Sequence, residues 1–270
     1  MRNLKPAEIT TIYLLFLYVT AVVIRGSSVF IFGEVVRLGI LFATFVVPTV
    51  LLLVYRGRRP GWDNILITLL LLLLLADPNT SPTIMIALGA ITFFFKLFIR
   101  VQGHPFFNPA ALSLALLSFA GLVTSWWGVS YAPRFTPLGI SAAVLFTLPI
   151  GVYIIWKYKK VPTLIATTGV LLAVSYVLSG TVPTQLLLEG TYAFFLLIMA
   201  TEPKTTPVVD AQEWVYGSVL GGSLALWFYF NAPLPYLLNL LILNALFSFY
   251  KVFVIKITQI RSLRQVSTTS

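Results

Sequence analysis

The sequence has no cysteine and a single histidine, His104. The first absence excludes disulfides, thiolate nucleophiles and cysteine-held zinc or iron–sulfur centres within the chain. The second leaves no histidine pair for a metal. No carboxylate lies beside His104 in sequence, so it reads as a loop hydrogen-bonder. Charge is scarce too. Only 10% of the 270 residues are charged, where a soluble domain carries about 25%. There is no phosphate-cradling glycine loop, no nucleophile elbow and no metal-ligand cluster, so nothing points to hydrolase or kinase chemistry. The polar stretches are too short to hold a soluble catalytic domain.

Apolar residues are abundant. They make up 59% of the chain, with mean hydropathy +0.95. This is the composition of an all-α integral membrane protein. The start, "MRNLKPAEITTIYLLFLYVTAVVI", joins a basic end to an apolar run without a small-residue cleavage site. It reads as a first membrane helix. The formal charge of +10 fits Lys and Arg in cytoplasmic loops better than nucleic-acid binding.

Apolar runs fall near 8–24, 35–55, 64–76, 82–98, 109–123, 138–156, 161–179, 184–200, 211–230 and 234–256. A straight span needs roughly 20 residues, so the third and fifth runs are short. If both termini share a side, that side receives 15 of the 18 basic residues. Arg25, Arg37 and Arg134 fall on the other side. The bias places both termini in the cytoplasm.

Two breaks share a pattern. "ADPNTSPT" at 76–83 follows the third run and "ATEPKTTP" at 200–207 follows the eighth. A second echo pairs "FFNPA" at 106–110 with "YFNAP" at 229–233. The offsets are 125 and 123 residues. Five segments separate each pair, so the halves 1–135 and 136–270 read as inverted five-helix repeats with broken helices. Ser81, Asn108 and Thr206 stand before prolines as N-caps, and Asn231 is a looser fourth. Bare helix starts are tolerated in a bilayer only inside protein or beside water. The expectation is therefore a central polar cavity faced by four helix starts, suited to an anionic or electron-rich ligand. Lys96 and Arg100, four apart, stand beside the "HPFFNPA" break, where they would hold an anion or mark the interface. Glu189 is an acid at the outer end of the eighth run. Trp126 and Trp127 read as belt anchors, and Asn239 and Asn244 as interhelical hydrogen-bonders.

The stretch "SPTIMIALGAITFFFKLFIRVQGHPFFNPAALSL" resembles the RnfD/NqrB family, the membrane proteins of the Rnf electron-transport complex and of sodium-pumping NADH:quinone oxidoreductase. "EGTYAFFLLIMATEPKTTPV" is similar to a second family stretch, running from Ser-Gly-Ala-Thr to Thr-Asp-Pro. The resemblance covers about 64–256. It implies a urea-channel-like fold and a flavin-carrying membrane protein that relays electrons across the cell membrane. Cation translocation and other redox subunits or a soluble electron donor go with that. The family's flavinylated position falls on Tyr192, with Thr191 one place before it. The cofactor implied is a non-covalent FMN or riboflavin, since attachment at Thr191 would need a one-residue slip. The residues implied around it are Thr80, Ser81, Lys96, Asn108, Glu189, Thr191, Tyr192, Thr205, Thr206 and Asn231. A small-solute or ion channel with a central cavity, and a cofactor-free scaffold, are the other readings.

Overall fold

The computed structural model describes residues 5–101, 104–130, 134–135, 140–202, 206–207 and 209–268. The described chain is all-helical. We number its main helices α1 Pro6–Arg25, α2 Ser28–Tyr55, α3 Trp62–Leu75, α4 Pro82–Phe98, α5 Pro109–Phe119, α6 Ala142–Lys157, α7 Val161–Ser179, α8 Gly190–Met199, α9 Asp210–Tyr229 and α10 Pro235–Thr268. Single helical turns lie at Trp127–Ser130 and Thr184–Leu187. Arg100–Val101 pairs with His104–Pro105, and Arg134–Phe135 with Ile140–Ser141, as two-residue hairpin ladders.

The helix boundaries have local causes. Pro6, Pro82 and Pro109 open their helices, where the missing N–H removes no bond. Gly26 and Gly180 end α1 and α7 in the left-handed region, at φ of 54° and 69°. In α2 the ladder widens to a π turn over Phe42–Val46. The turn ends two residues before Pro48, which cannot donate to the ladder.

By length and composition, α1, α2 and α7 are long and apolar enough to cross a membrane. Their outward faces expose large apolar side chains, among them Val29, Phe32, Leu51 and Val177. Their inward faces join the core, which is densest on two shorter helices. Every residue from Leu69 to Ala76 in and after α3 is buried, and so is every residue from Tyr192 to Ala200 in and after α8. A helix apolar all round belongs in an interior. At about 1.5 Å per residue, α3 is roughly 21 Å long and α8 roughly 15 Å. Both fall short of the roughly 30 Å hydrocarbon layer.

The closest helix pair is α7 with α9. A Cβ added to Gly217 would lie 2.7 Å from the Thr163 carbonyl oxygen, and one added to Gly221 would lie 2.3 Å from that of Thr167. These two glycines, four apart, let the backbones touch. Gly89 of α4 instead makes room for the Thr44 side chain of α2.

The helix ends gather at two poles. One holds the loop after α2, the start of α3, the end of α4, the start of α5 and the chain after α8, which meet around one cavity. Lys160 and Glu213 bring the starts of α7 and α9 together, and Pro207 ties that pair to the chain after α8. The other pole holds the α1–α2 turn, the α3–α4 break and the α9–α10 turn. Three residues depart from the sequence-based expectation here. Trp126 and Trp127 are interior residues, not belt anchors, and the Trp127 indole N–H donates to the Leu73 carbonyl at 2.6 Å. Asn239 bonds within its own helix, to the Pro235 carbonyl.

Candidate functional site

At the first pole a cavity of about 400 Å³ opens between the ends of α3, α4 and α5. Four cations line it: Arg58 and Arg59 from the α2–α3 loop, Lys96 from the last turn of α4, and Arg100 just beyond. Lys96 is 7% exposed. Its ammonium donates to the Asn64 carbonyl and to the Thr68 hydroxyl, each at 2.6 Å, and stands 5.3 Å from the Phe45 ring centroid. These contacts hold the charge at the cavity wall by tying α4 to α3. Arg100 turns back to the Lys96 carbonyl at 2.9 Å. Burial, and then the neighbouring Arg58 and Arg56, lower its pKa. The arginines are close enough to feel one another, which concentrates positive potential at this mouth.

The floor of the cavity is the start of α5. The Asn108 side-chain oxygen accepts from the N–H groups of Ala110 and Ala111, both at 3.1 Å. This is the N-cap expected from "FNPA". Its amide nitrogen donates to the Glu202 carboxylate at 2.8 Å, across 94 residues of sequence. A smaller lobe of about 80 Å³ adjoins the main cavity and shares Asn64, Ile67, Leu71, Asn108 and Glu202 with it. Four cations, one carboxylate and a helix start form a setting for an anionic group.

The residues expected to meet in one central cavity do not all meet. Asn108 and Thr206 do share a pole. The buried Thr206 hydroxyl donates to the Glu202 carbonyl at 2.7 Å. Thr206 does not cap α9, which starts later, at Asp210. Ser81 is exposed and caps α4 without a side-chain bond. Asn231 is exposed in a turn with φ of 50°. Both lie at the second pole, because α4 and α10 start where α5 and α9 end. Thr80 lies in the turn after α3, and its hydroxyl has no hydrogen-bond partner among the described residues. Glu189 is exposed at the start of α8, Thr191 is half-buried, and the buried Tyr192 hydroxyl lies 3.1 Å from that of Thr168. Thr205 lies outside the described residues. Leucines of α3 and the buried run of α8 fill the space between the poles.

At the first break, protein groups among the described residues cap the end of α3. Trp127 takes the Leu73 carbonyl, the Trp126 N–H takes that of Leu75 at 2.7 Å, and the Arg37 guanidinium takes that of Ala76 at 2.7 Å. Arg37 also pairs with Glu34, which accepts from the Tyr18 hydroxyl at 2.9 Å. The second break has a parallel device. Buried Lys160 donates to the Pro207 carbonyl and, at 3.0 Å, to Glu213. So each break is held by a buried cation with a carboxylate beside it. Sequence reasoning passed over Glu34, Arg37, Lys160, Glu202 and Glu213 as site residues. The available signal was an ionisable group placed inside or at the edge of an apolar run.

No protein-family model matches this chain, and no curated protein does either.

Proposed function

We propose that this chain is a ten-span membrane protein of two inverted five-helix halves, with both termini in the cytoplasm. In our reading a phosphate-bearing flavin binds in the cation-lined cavity, and the protein serves in electron transfer, as a relative of the membrane proteins of Rnf and sodium-pumping NADH:quinone oxidoreductase. The donor and acceptor would be separate subunits or soluble partners.

The inverted repeat is supported by how the helices pair. α1 packs on α3 as α6 packs on α8, α2 on α4 as α7 on α9, and α4 on α5 as α9 on α10. Moving each helix five places along maps these three pairs onto one another. The pairs α1 with α6 and α5 with α10 map onto themselves, as contacts on a pseudo-two-fold axis must.

One observation carries the flavin reading. The stretch that resembles the family, 81–114, also supplies Lys96, Arg100, Asn108 and Pro109 to the cavity wall. A flavin mononucleotide needs a cationic cradle for its phosphate, and the donor set fits. When bound, the flavin would supply the one- and two-electron chemistry. The chain's own residues would bind the phosphate and exclude water. Attachment at Tyr192 or Thr191 is a poorer fit, since Tyr192 is buried against Thr168 at the far end of α8. A channel is the competing reading. The fully buried run Leu69–Leu75 favours a closed body over a conducting one.

The test is flavin binding to the purified chain, read by absorbance, by release on denaturation and by fluorescence quenching. FMN should bind at least tenfold more tightly than riboflavin. Arg58→Gln/Arg59→Gln, at two exposed positions, should weaken FMN about tenfold and leave riboflavin unchanged. A colourless protein that takes up no FMN, but lets a small solute into liposomes, would replace this reading with the channel.

A further inference from the structure

Threonine inside a helix commonly turns its hydroxyl back to the carbonyl four residues earlier. Thr44, Thr68 and Thr92 do so here, at 2.8, 2.8 and 2.7 Å. Thr49 of α2 does not. Its side chain is fully buried, and its hydroxyl has no hydrogen-bond partner among the described residues. A buried hydroxyl left unpaired is costly, so the position calls for a reason. Thr163 and Thr167 share the condition, but of the three only Thr49 lines the cation-lined cavity. Leu53, one turn further along α2, lines it too. Phe45, one turn back, holds its ring 5.3 Å from the Lys96 ammonium. One face of α2 therefore runs along the cavity wall beside the charged groups.

We propose that Thr49 is a specificity-determining residue of this site: its hydroxyl donates to a phosphate oxygen of the ligand. The proposal rests on the cavity being the cofactor site. It adds where the phosphate sits, against the α2 wall, and which neutral donor completes its cradle. A hydroxyl carries one donor, and a charged acceptor makes its bond shorter and stronger than a neutral one. Arg58 and Arg59 are exposed and attract any anion that reaches the mouth. Thr49 is buried, so only a group seated deep in the cavity reaches it. Its hydroxyl also gives up nothing on binding, because it breaks no bond within the protein to make the new one. Lys96 differs in this respect, since its ammonium is already held by Asn64 and Thr68. The cations thus supply attraction, and Thr49 supplies the fixed contact that tells a phosphate monoester from the same molecule without its phosphate.

FMN and riboflavin are titrated against the full chain by fluorescence quenching, and melting of the ligand-free protein is followed by tryptophan fluorescence. Thr49→Val keeps the shape of the side chain and removes the donor. It should weaken FMN about tenfold and riboflavin by less than about twofold. Thr49→Ser keeps the donor and should hold FMN within about threefold of the wild type. Without ligand, Thr49→Val should melt about 2–4 °C higher, because it deletes an unpaired buried hydroxyl. A hydroxyl that served only the fold would move that temperature the other way, so a lower ligand-free melting temperature overturns the proposal. Unchanged FMN affinity in Thr49→Val overturns it as well. So does equal weakening of FMN and riboflavin, which would place the hydroxyl away from the phosphate. Failure of FMN to bind the wild type is a different result: it overturns the cofactor reading, and this proposal with it.

Discussion

Replacing Lys160 by Met should destabilise the protein by about 3–5 kcal/mol. The Lys160 side chain is fully buried. It neutralises Glu213, whose second carboxylate oxygen has no hydrogen-bond partner among the described residues. It also takes the Pro207 carbonyl at the second break. Burial lowers the lysine's pKa, and Glu213 opposes that shift. Removing the lysine alone strands a carboxylate in an interior where ions are costly. Removing both charges does not. Lys160→Met/Glu213→Leu should recover most of the loss, because an apolar pair of similar volume is often as stable as a buried ion pair. Unfolding of the detergent-solubilised protein, followed by tryptophan fluorescence, measures all three forms. A double variant as unstable as the single one would show that Lys160 acts through the Pro207 carbonyl alone.

The second large effect is expected at Gly221. Gly221→Ala would put a methyl 2.3 Å from the Thr167 carbonyl oxygen and 3.0 Å from the Leu171 nitrogen. Both are backbone atoms, which no rotamer change can move. Separating α7 from α9 should cost about 1–3 kcal/mol, or more. The neighbouring Gly222→Ala is the control. Its Cβ would lie 3.7 Å from a Val170 methyl, an ordinary contact, and alanine favours helix by up to about 1 kcal/mol. A large drop in melting temperature at Gly221, with none at Gly222, is the expected result. Equal effects at both positions would rule out the close crossing.

The helices were largely legible in the sequence. The pattern places helices at 82–98 and 161–179, and they run Pro82–Phe98 and Val161–Ser179. The apolar runs are strong and prolines mark several starts, so both boundaries carry a local signal. The end of α10 was not legible. The sequence suggests 256, and the helix runs to Thr268, through a polar stretch with no apolar pattern to follow. The N-cap at Asn108 could be read from "FNPA", because a cap is a local event. Its bond to Glu202 could not, because nothing local to either residue states a contact 94 positions away.

Among the described residues the four expected helix starts do not meet in one chamber, for a physical reason. Helix ends in a bilayer need partners, and the sequence-based expectation assigned that role to water or ligand. At the first break the partners are Arg37, Trp126 and Trp127. All three stand far from the α3 end in sequence, or look like ordinary interface residues. The polar cavity forms instead at the pole where α4 ends and α5 begins. The clue was the spacing of Lys96, Arg100 and Asn108, three polar residues within one helix end and one short loop. The paired glycines Gly217 and Gly221 went unused as a sign of close helix packing.

The account depends most on the two breaks lying on opposite faces of a membrane. The chain has no cysteine, so single-cysteine variants report position without background. Ser81→Cys at the first break and Asp210→Cys at the second are both exposed positions. Intact cells are treated with a membrane-impermeant maleimide before and after permeabilisation. The inverted repeat predicts that Ser81→Cys labels from outside, while Asp210→Cys labels only once the membrane is opened. Labelling of both positions from the same side would contradict it.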